Sequence, residues 1–282
     1  MCALARGQTL DRVPFAVLDV ETTGLNPGWG HRVCEIAVLR GQGGAMSEPF
    51  STLVDPGRSI SPGAFAVNQI TPAMLRGAPP FHDVVDQVLD QLEGAVMVAH
   101  NAPFDLGFLR HELMIAGRLW PDELPVIDTL ALCRLTLGLP RNGLSYVGRE
   151  LGVLVEPEHR ALGDVYTTWG VLQHLLATLE PEGVRTLDDL FAWQGGPVEL
   201  PPIQRLSLPP SIAEALGTGG PVLMRYADAR GKETERLVRP IRVAAGRGYG
   251  YLIAYCYLRN AQRTFRLDRV IEMVPESAWS DG

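Results

Sequence analysis

Five residues between positions 19 and 164 carry side chains that together suit metal-dependent chemistry. Asp19 and Glu21 lie two positions apart at the end of a run typical of a β-strand, so both carboxylates point to the same side of the sheet edge. Asp105 falls in the first turn of a predicted helix, and His159 and Asp164 follow in one short segment. Four carboxylates and one histidine form a hard, oxygen-rich set of ligands, which favours Mg²⁺ or Mn²⁺ over zinc.

Alternating strands and helices must bring these residues together. Short apolar runs rich in β-branched residues predict five strands, the first three forming a meander and the last two each preceding a segment with helical spacing. The predicted strands cover residues 14–20, 33–39, 50–54, 95–99 and 125–128. An amphipathic helix over residues 165–180 ends this region. The pattern predicts an α/β domain with two crossover units.

Three motifs contain the five residues, in the order DVETTGL, AHNAPFD and HRALGD. Over about residues 12–180 they resemble the motifs of the DEDDh exonucleases, the family of the proofreading epsilon subunit of bacterial DNA polymerase III. The resemblance implies an RNase H-like fold, with a five-stranded mixed sheet flanked by helices, and removal of nucleotides from a 3′ end. It also implies that Asp19, Glu21, Asp105 and Asp164 hold two Mg²⁺ or Mn²⁺ ions, and that His159 deprotonates the attacking water.

The same resemblance implies a pocket for the terminal nucleotide, in which backbone amides meet the 3′ end and a leucine wedges against a base. The matching residues are Thr22, Thr23, Gly24, Leu25, Ile70 and Thr71. For the first four, an ordinary strand-to-loop turn is the alternative interpretation. The last two match weakly, because Asn68 and Gln69 precede them where members of the family usually have a histidine.

The other histidines match none of the catalytic positions. We predict that His100 is a hydrogen-bonded histidine beside Asn101, which ties its own loop together. Four more are predicted to be plain surface or helix residues: His31, His82, His111 and His174.

The C-terminal region has strand-like alternation over residues 220–272 and little helical spacing, which predicts a small all-β domain. Residues 222–270 resemble the WYL domain, an SH3-like or Sm-like β-barrel of bacterial regulators that is considered to sense nucleic acids or nucleotides. Gly250 occupies the position of the tryptophan that gives the domain its name. Tyrosines that stack on bases and arginines that hold phosphates would suit this role. The alternative is that some of the tyrosines form the core of the barrel and the arginines form its solvated rim. The candidate residues are Arg236, Tyr251, Arg263, Arg266 and Arg269.

Charge and proline content divide the chain. Residues 1–182 hold 12 arginines against 21 acidic residues, whereas residues 209–282 hold 11 basic against 8 acidic residues, so the two net charges are −9 and +3. Five prolines between positions 195 and 210 disfavour both helix and central strand. We therefore predict an exonuclease domain over 1–182, a linker over 183–208 and a WYL-like barrel over 209–282.

The predicted linker contains one candidate docking peptide. From Gln204 to Pro209 the sequence QRLSLP loosely resembles the Gln and Leu peptides by which bacterial polymerase and repair proteins bind the sliding clamp. A plain spacer is the alternative. A DNA polymerase is a further possible partner, although the sequence identifies no surface for it.

Composition excludes several classes of protein. With 46% hydrophobic and 20% charged residues, the chain is typical of globular proteins and unlike disordered or collagenous ones. No apolar run reaches the roughly 18 residues of a membrane-spanning helix, and the start shows no export signal, so we expect a cytoplasmic protein without a membrane partner. The four cysteines lack C-x-x-C spacing, which argues against a zinc site or a disulfide framework.

These observations predict a metal-dependent 3′–5′ exonuclease with DNA as the favoured substrate, single-stranded or with a free 3′ end, acting in repair or proofreading. The barrel would bind or sense nucleic acid and so recruit or regulate the nuclease. One alternative is a 3′–5′ exoribonuclease, because the same catalytic set serves relatives that trim RNA. The other is a non-catalytic regulator in which the barrel is the functional part.

Overall fold

The computed structural model forms two compact units. It describes residues 7–121, 124–154, 159–200, 210–228, 231–246 and 249–275. The first unit comprises residues 1–21, 33–55 and 73–202, and the second comprises residues 22–32, 56–72 and 203–282. None of the helices in the described ranges combines the length and the hydropathy that a bilayer-spanning segment requires.

A mixed sheet forms the centre of the first unit. Its strands are β1 (Phe15–Thr22), β2 (Val33–Gln42), β3 (Ala45–Met46), β4 (Phe50–Leu53), β5 (Val96–Ala99) and β6 (Val126–Asp128). The order is β4-β2-β1-β5-β6, and the two-residue β3 also pairs with β2. Strand β5 is parallel to both β1 and β6, whereas β4 is antiparallel to β2. The predicted mixed sheet of the RNase H-like fold is confirmed, with β3 as an addition.

Eight α-helices lie within the described residues. They are α1 (Pro62–Asn68), α2 (Phe81–Leu92), α3 (Ala102–Ile115), α4 (Thr129–Thr136), α5 (Leu144–Leu151), α6 (Ala161–Leu179), α7 (Leu187–Gln194) and α8 (Pro210–Thr218). Helix α6 begins four residues before the predicted helix at 165–180. Helix α7 lies within the predicted linker at 183–208, where Thr186 and Asp189 form a capping box and Leu187 and Leu190 are buried.

Alternation along β1 gives the sheet two different faces. Phe15 and Val17 pack in a cluster with residues of α4, α5, α6 and α7. Leu18 and Val20 pack on the other face, with residues of α2 and α3. Side chains at alternate positions of a strand share a face, so the residues that continue the series of Phe15 and Val17 point to the α6 side. Asp19 is the next residue in that series.

A five-stranded antiparallel sheet occupies the second unit. Its strands are β7 (Val222–Ala227), β8 (Glu233–Gly246), β9 (Tyr249–Cys256), β10 (Ala261–Arg266) and β11 (Val270–Pro275), in the order β10-β9-β8-β7-β11. Its core includes Val222, Val238, Leu252 and Phe265, and Ile212 of α8 is buried with them. The register of β8 shifts next to Pro240, as expected for a residue that cannot donate to the ladder. The predicted all-β architecture of this region is confirmed.

Candidate active site

Three of the predicted acidic residues meet where β1 ends and α6 begins. Ligand oxygens of Asp19, Glu21 and Asp164 all lie within 4.8 Å of one another. Asp164 lies in the first turn of α6, where its backbone N–H donates to the carbonyl of Arg160. Because Asp19 and Glu21 project from β1 on the α6 side, the sheet and the helix supply opposite walls of one acidic cluster.

Asp105 reaches the same strand from α3. Its side chain is 2% exposed, and its Oδ1 accepts a hydrogen bond of 3.2 Å from the backbone N–H of Val20. Val20 lies between the two acids of β1, so Asp105 is tied to the strand segment that carries them. Its carboxylate is not one of the three that converge within 4.8 Å.

Loss of solvation and repulsion between like charges both act on the cluster, and loss of solvation is the larger effect. The pKa of Asp19 is raised well above its ordinary value, first by loss of solvation and then by the charges of Asp105, Asp164, Glu21 and Glu35. The pKa of Asp105 is raised by burial, which outweighs the opposing hydrogen bond from Val20. A divalent cation would offset this repulsion, and carboxylate oxygens at this spacing are the ligands that Mg²⁺ and Mn²⁺ prefer. The residues present therefore fit the metal that the motifs imply.

His159 precedes α6 on the same segment as Asp164. It is exposed and lies outside the group of three converging ligands, with a φ of 58° in the left-handed region. Residues 155–158, which come directly before it, lie outside the described residues. The next residue, Arg160, donates two hydrogen bonds to Glu35 of β2. Glu35 is not among the residues that the motifs predict, although a charged residue inside the apolar run VCEIAVL is an available signal.

The predicted nucleotide pocket has a well-bonded loop. Thr22 Oγ1 donates to the carbonyl of Gly24 at 2.7 Å, and the hydroxyl of Thr23 lies 3.1 Å from Nδ1 of His31. Leu25 is 83% exposed, as a residue that wedges against a base would be. The sequence therefore produces a hydrogen-bonded turn that presents one apolar side chain to solvent.

The prediction that His31 is a plain surface residue was wrong. Its ring lies so close beneath Gly24 that a Cβ atom there would approach it to 2.3 Å. Burial, and secondarily the charge of Arg58, lowers the pKa of His31 to about 3. The neutral imidazole thus supports the loop at Thr23 and Gly24. By contrast, His82, His111 and His174 are helix residues, as predicted.

The second predicted pocket segment supports the same loop. Ile70 is fully buried and Thr71 is partly exposed. Asn68 donates from Nδ2 to the carbonyl of Thr22 at 3.2 Å and accepts from the N–H of Ile70. The departure from the family's histidine therefore places a buried amide that binds the backbone of the loop.

The loop after β5 agrees with its prediction. The ring nitrogens of His100 lie 2.9 Å from Thr129 Oγ1 and 2.7 Å from the carbonyl of Asn142. Asn101 adopts a left-handed conformation, and its N–H donates to Asp128 Oδ1. His100 is therefore satisfied, and the loop that leads to Asp105 is fixed by its neighbours.

Four of the five predicted nucleic-acid residues of the second unit divide between two faces of the sheet. Tyr251 pairs with Arg266, whereas Arg263 pairs with Ala254 and so points to the opposite face. Arg236 is on the face of Arg263 and lies 5.9 Å from the centroid of Phe265. Asp268 accepts two hydrogen bonds from Arg266. Arg269 follows in the same short turn and is partly exposed.

The face of Tyr251 also carries residues that are not among the predicted candidates. Tyr255 lies on it, and Arg239, directly opposite on β8, places its guanidinium 5.9 Å from the tyrosine ring. Tyr257 packs edge-on against Tyr255. Aromatic rings and arginines therefore share this face, and the β8–β9 register reveals the pairing.

The sheet order, with carboxylates gathered at the junction of β1 and α6, places the first unit in the RNase H-like class. The family model described as "Exonuclease" matches residues 16–172, and the model described as "WYL domain" matches residues 209–275. The chain belongs to the exonuclease family and carries a WYL domain after it.

Known proteins with similar sequences share the first region. The DNA polymerase III subunit epsilon-like protein of Rhodobacter capsulatus is 40% identical over 182 residues, which is 63% of this chain and 26% of that protein. The 3′-5′ exonuclease DinG of Bacillus subtilis is 34% identical, covering 64% of this chain and 19% of that protein. This chain therefore spans about a quarter or less of the length of these curated relatives.

Among solved structures, E. coli exonuclease I in complex with a dT13 oligonucleotide matches with a TM-score of 0.55. The match covers 86% of this chain and 55% of that chain. At 17% sequence identity the similarity shows a shared fold.

Proposed function

We propose that this protein is a metal-dependent 3′–5′ exonuclease that acts on DNA. The observation that carries the proposal is the convergence of Asp19, Glu21 and Asp164 within 4.8 Å, with Asp105 bonded to the strand between the first two. Membership of the exonuclease family supports the same activity. A non-catalytic regulator would have no need for a cluster whose members repel one another.

The chemistry is phosphodiester hydrolysis. When bound, two divalent ions stabilise the entering and leaving oxygens of an in-line displacement. Asp19, Glu21, Asp105 and Asp164 would hold those ions, and the imidazole of His159 would accept a proton from the attacking water. The water oxygen bonds to phosphorus while the bond to the 3′ oxygen of the preceding nucleotide breaks. A nucleoside 5′-monophosphate leaves, and the departing 3′ oxygen takes a proton from solvent, so that the strand ends in a new 3′ hydroxyl.

The pocket residues would hold the terminal nucleotide. Thr22, Thr23 and Gly24 offer a loop fixed by internal hydrogen bonds, and exposed Leu25 would stack against a base. A pocket that is organised before substrate arrives lowers the entropic cost of positioning the scissile bond. Ile70 would support the pocket indirectly, since it has no exposed surface, whereas the partly exposed Thr71 would contact the nucleotide.

The WYL domain would supply nucleic-acid binding. We infer a division of labour along the sequence, with catalysis in 1–182, a linker at 183–208 and binding in 209–282. The face with Tyr251 and Arg239 suits single strands, because aromatic rings stack on bases while guanidinium groups hold phosphates. Recruitment to damaged or mismatched 3′ ends in repair or proofreading is the role that such a pairing fits. Residues 204–209 lie outside the described residues. Contact between them and a sliding clamp would add a second route of recruitment.

The experiment is a time course on 5′-labelled DNA and RNA oligonucleotides of one sequence, with Mg²⁺, Mn²⁺ or EDTA. We expect DNA to shorten stepwise from its 3′ end with either metal and to stay intact in EDTA, and we expect RNA to shorten more slowly. Faster shortening of RNA would make the protein an exoribonuclease. Intact DNA and RNA in the presence of metal, with binding retained, would overturn the exonuclease proposal in favour of a regulator.

A further inference from the structure

A buried carboxylate on β2 holds the chain at the start of α6. Glu35 is 4% exposed, and its Oε1 accepts from Nη2 of Arg160 at 2.6 Å. Its Oε2 accepts both from Nε of Arg160 at 3.0 Å and from the backbone N–H of Ala161 at 3.1 Å. One side chain therefore binds two consecutive residues that are 125 and 126 positions away in sequence.

The cost of burying this charge indicates that it has a specific task. Glu35 lies in the apolar run of β2, where an unpaired carboxylate would be strongly unfavourable. A two-point bond from a guanidinium compensates the charge and also fixes direction, because the planar fork of arginine matches a carboxylate in only a few orientations. The N–H of Ala161 is one of the donors at the start of α6 that have no acceptor within the helix. Glu35, which lies on β2, accepts from it and so caps α6.

The residues held in this way lie between the two functional groups of the HRALGD motif. His159 immediately precedes Arg160 and adopts a left-handed conformation, which is uncommon for residues other than glycine. Asp164 donates its N–H to the carbonyl of Arg160. A shift of Arg160 would therefore move His159 directly, whereas Asp164 is also held by the body of α6.

We propose that Glu35 is a positioning residue that acts through Arg160 to hold His159 in its working place. The inference rests on the proposed exonuclease function, since it assigns His159 the role of base. It does not make Glu35 a metal ligand, because both of its oxygens are already engaged by donors. The pKa of Arg160 is raised mainly by its bond to Glu35, and Glu21 adds to the effect, so the pair borders the acidic cluster.

A double-mutant cycle tests the proposal. Glu35→Gln keeps the shape of the side chain but weakens the fork, and we expect kcat to fall about 10- to 100-fold with little change in KM. In a His159→Ala background, where no base remains to be positioned, the same change should lower kcat less than about 3-fold. Equal losses in the two backgrounds would overturn the proposal, because a general structural role or a metal-site role predicts additivity.

Glu112→Gln is the matched control. Glu112 is also a buried glutamate that accepts from a backbone N–H of β2, that of Val33 at 3.0 Å, but it lies on α3. Its substitution should change kcat by the same factor with and without His159. If Glu35→Gln does not fold, as judged by circular dichroism, Arg160→Lys replaces it in the cycle, since it keeps the charge and removes the fork.

A second measurement separates failure of this inference from failure of the proposed function. The ring signal of His159 in a histidine-labelled protein can be assigned by its loss in His159→Ala. We expect Glu35→Gln, or Arg160→Lys in its place, to shift that signal more than Glu112→Gln does. An unmoved signal would overturn the positioning role whether or not the protein degrades DNA, and inactive wild-type protein with a shifted signal would count against the exonuclease function alone.

Discussion

At the scale of single residues, the site consists of negatively charged side chains that repel one another. Asp19 and Asp105 both have raised pKa values, so the folded chain without metal holds carboxylates in a place where they are least stable as anions. Such a site favours the binding of cations. His31 is the opposite case, because its support of the pocket loop depends on remaining uncharged.

We predict that His31 makes the stability of the protein depend on pH. Its folded pKa is about 3 against an ordinary value of 6.5, so between these values the unfolded chain binds the extra proton. The contribution of His31 to the free energy of unfolding is therefore fully present above pH 6.5. It falls as the pH drops toward 3, by at most about 1.4 kcal/mol per pH unit. His31→Asn should flatten the curve when urea unfolding is measured from pH 7.5 to 4.5.

The control for this prediction is His82→Asn, since the His82 side chain is 65% exposed on α2. It should leave the pH dependence of unfolding as it is in the wild type. A His31→Asn protein with the full wild-type slope would show that the proton uptake belongs to other groups.

The residues named by the motifs were predictable because each motif spans only six or seven positions. The structure places Asp19, Glu21 and Asp164 together and ties Asp105 to the same strand. Glu35 was not predictable in the same way, since its partner lies 125 residues away and only the packing of β2 against α6 brings them together. His31 was not predicted for a more local reason, because its ring has a place beneath Gly24 only once the loop of Thr23 and Gly24 has folded.

At the scale of elements, the position of α6 depends on a close approach to β2. Gly41 lies so near the ring of Trp169 that an added Cβ would come within 2.2 Å of it. Trp169 is buried in the core cluster of this face, so its ring has little freedom to move away. The absence of a side chain at position 41 therefore sets how near the helix carrying Asp164 lies to the sheet.

We predict that Gly41→Ala destabilises the protein by about 1 to 3 kcal/mol, because overpacking forces the ring or the strand to shift. Chemical denaturation gives the free energy of unfolding directly. Gly63→Ala is the control, since a Cβ added at that position would meet no atom within 4 Å apart from its chain neighbours and the backbone of its own helix. Trp169→Phe should recover part of the loss in the double variant, and a Gly41→Ala protein as stable as the wild type would contradict this account of the packing.

Element types were more predictable than element ends. The period of apolar residues located all five predicted strands of the first sheet, but the helix predicted from 165 begins at Ala161. The N–H of Ala161, the first residue of this helix, donates to Glu35, which lies on a distant strand. Helix α7 was missed within the predicted linker, although its capping box at Thr186 and Asp189 is a local signal.

At the scale of the whole molecule, the chain combines an exonuclease family region and a WYL domain. Both were recognisable from motifs, whereas the arrangement of side chains on the second sheet was not. Four of the five candidates of that domain divide between two faces, because Arg263 and Arg266 stand three positions apart on β10, and the fifth, Arg269, lies in the turn that follows. A binding surface can use only the residues that share a face.

We predict that the face of Tyr251 binds single-stranded DNA. Arg239→Ala on this face should weaken binding several-fold and reduce the salt dependence by about one unit of slope, through loss of one phosphate contact. Fluorescence anisotropy between 50 and 200 mM salt, conditions that resolve such slopes, measures both quantities. Arg263→Ala on the opposite face should have the smaller effect, and a larger effect there would move the binding surface to that side.

The most direct test of the central claim is the single-turnover rate at which a 5′-labelled DNA loses its 3′ nucleotides in Asp19→Ala protein with Mn²⁺. The loss of a ligand to ions that supply several kcal/mol of stabilisation should lower that rate about 1,000-fold or more. Asp90→Ala, which removes an exposed acid on α2, should retain the wild-type rate. A wild-type rate in folded Asp19→Ala protein would contradict the assignment of the acidic cluster as the catalytic centre.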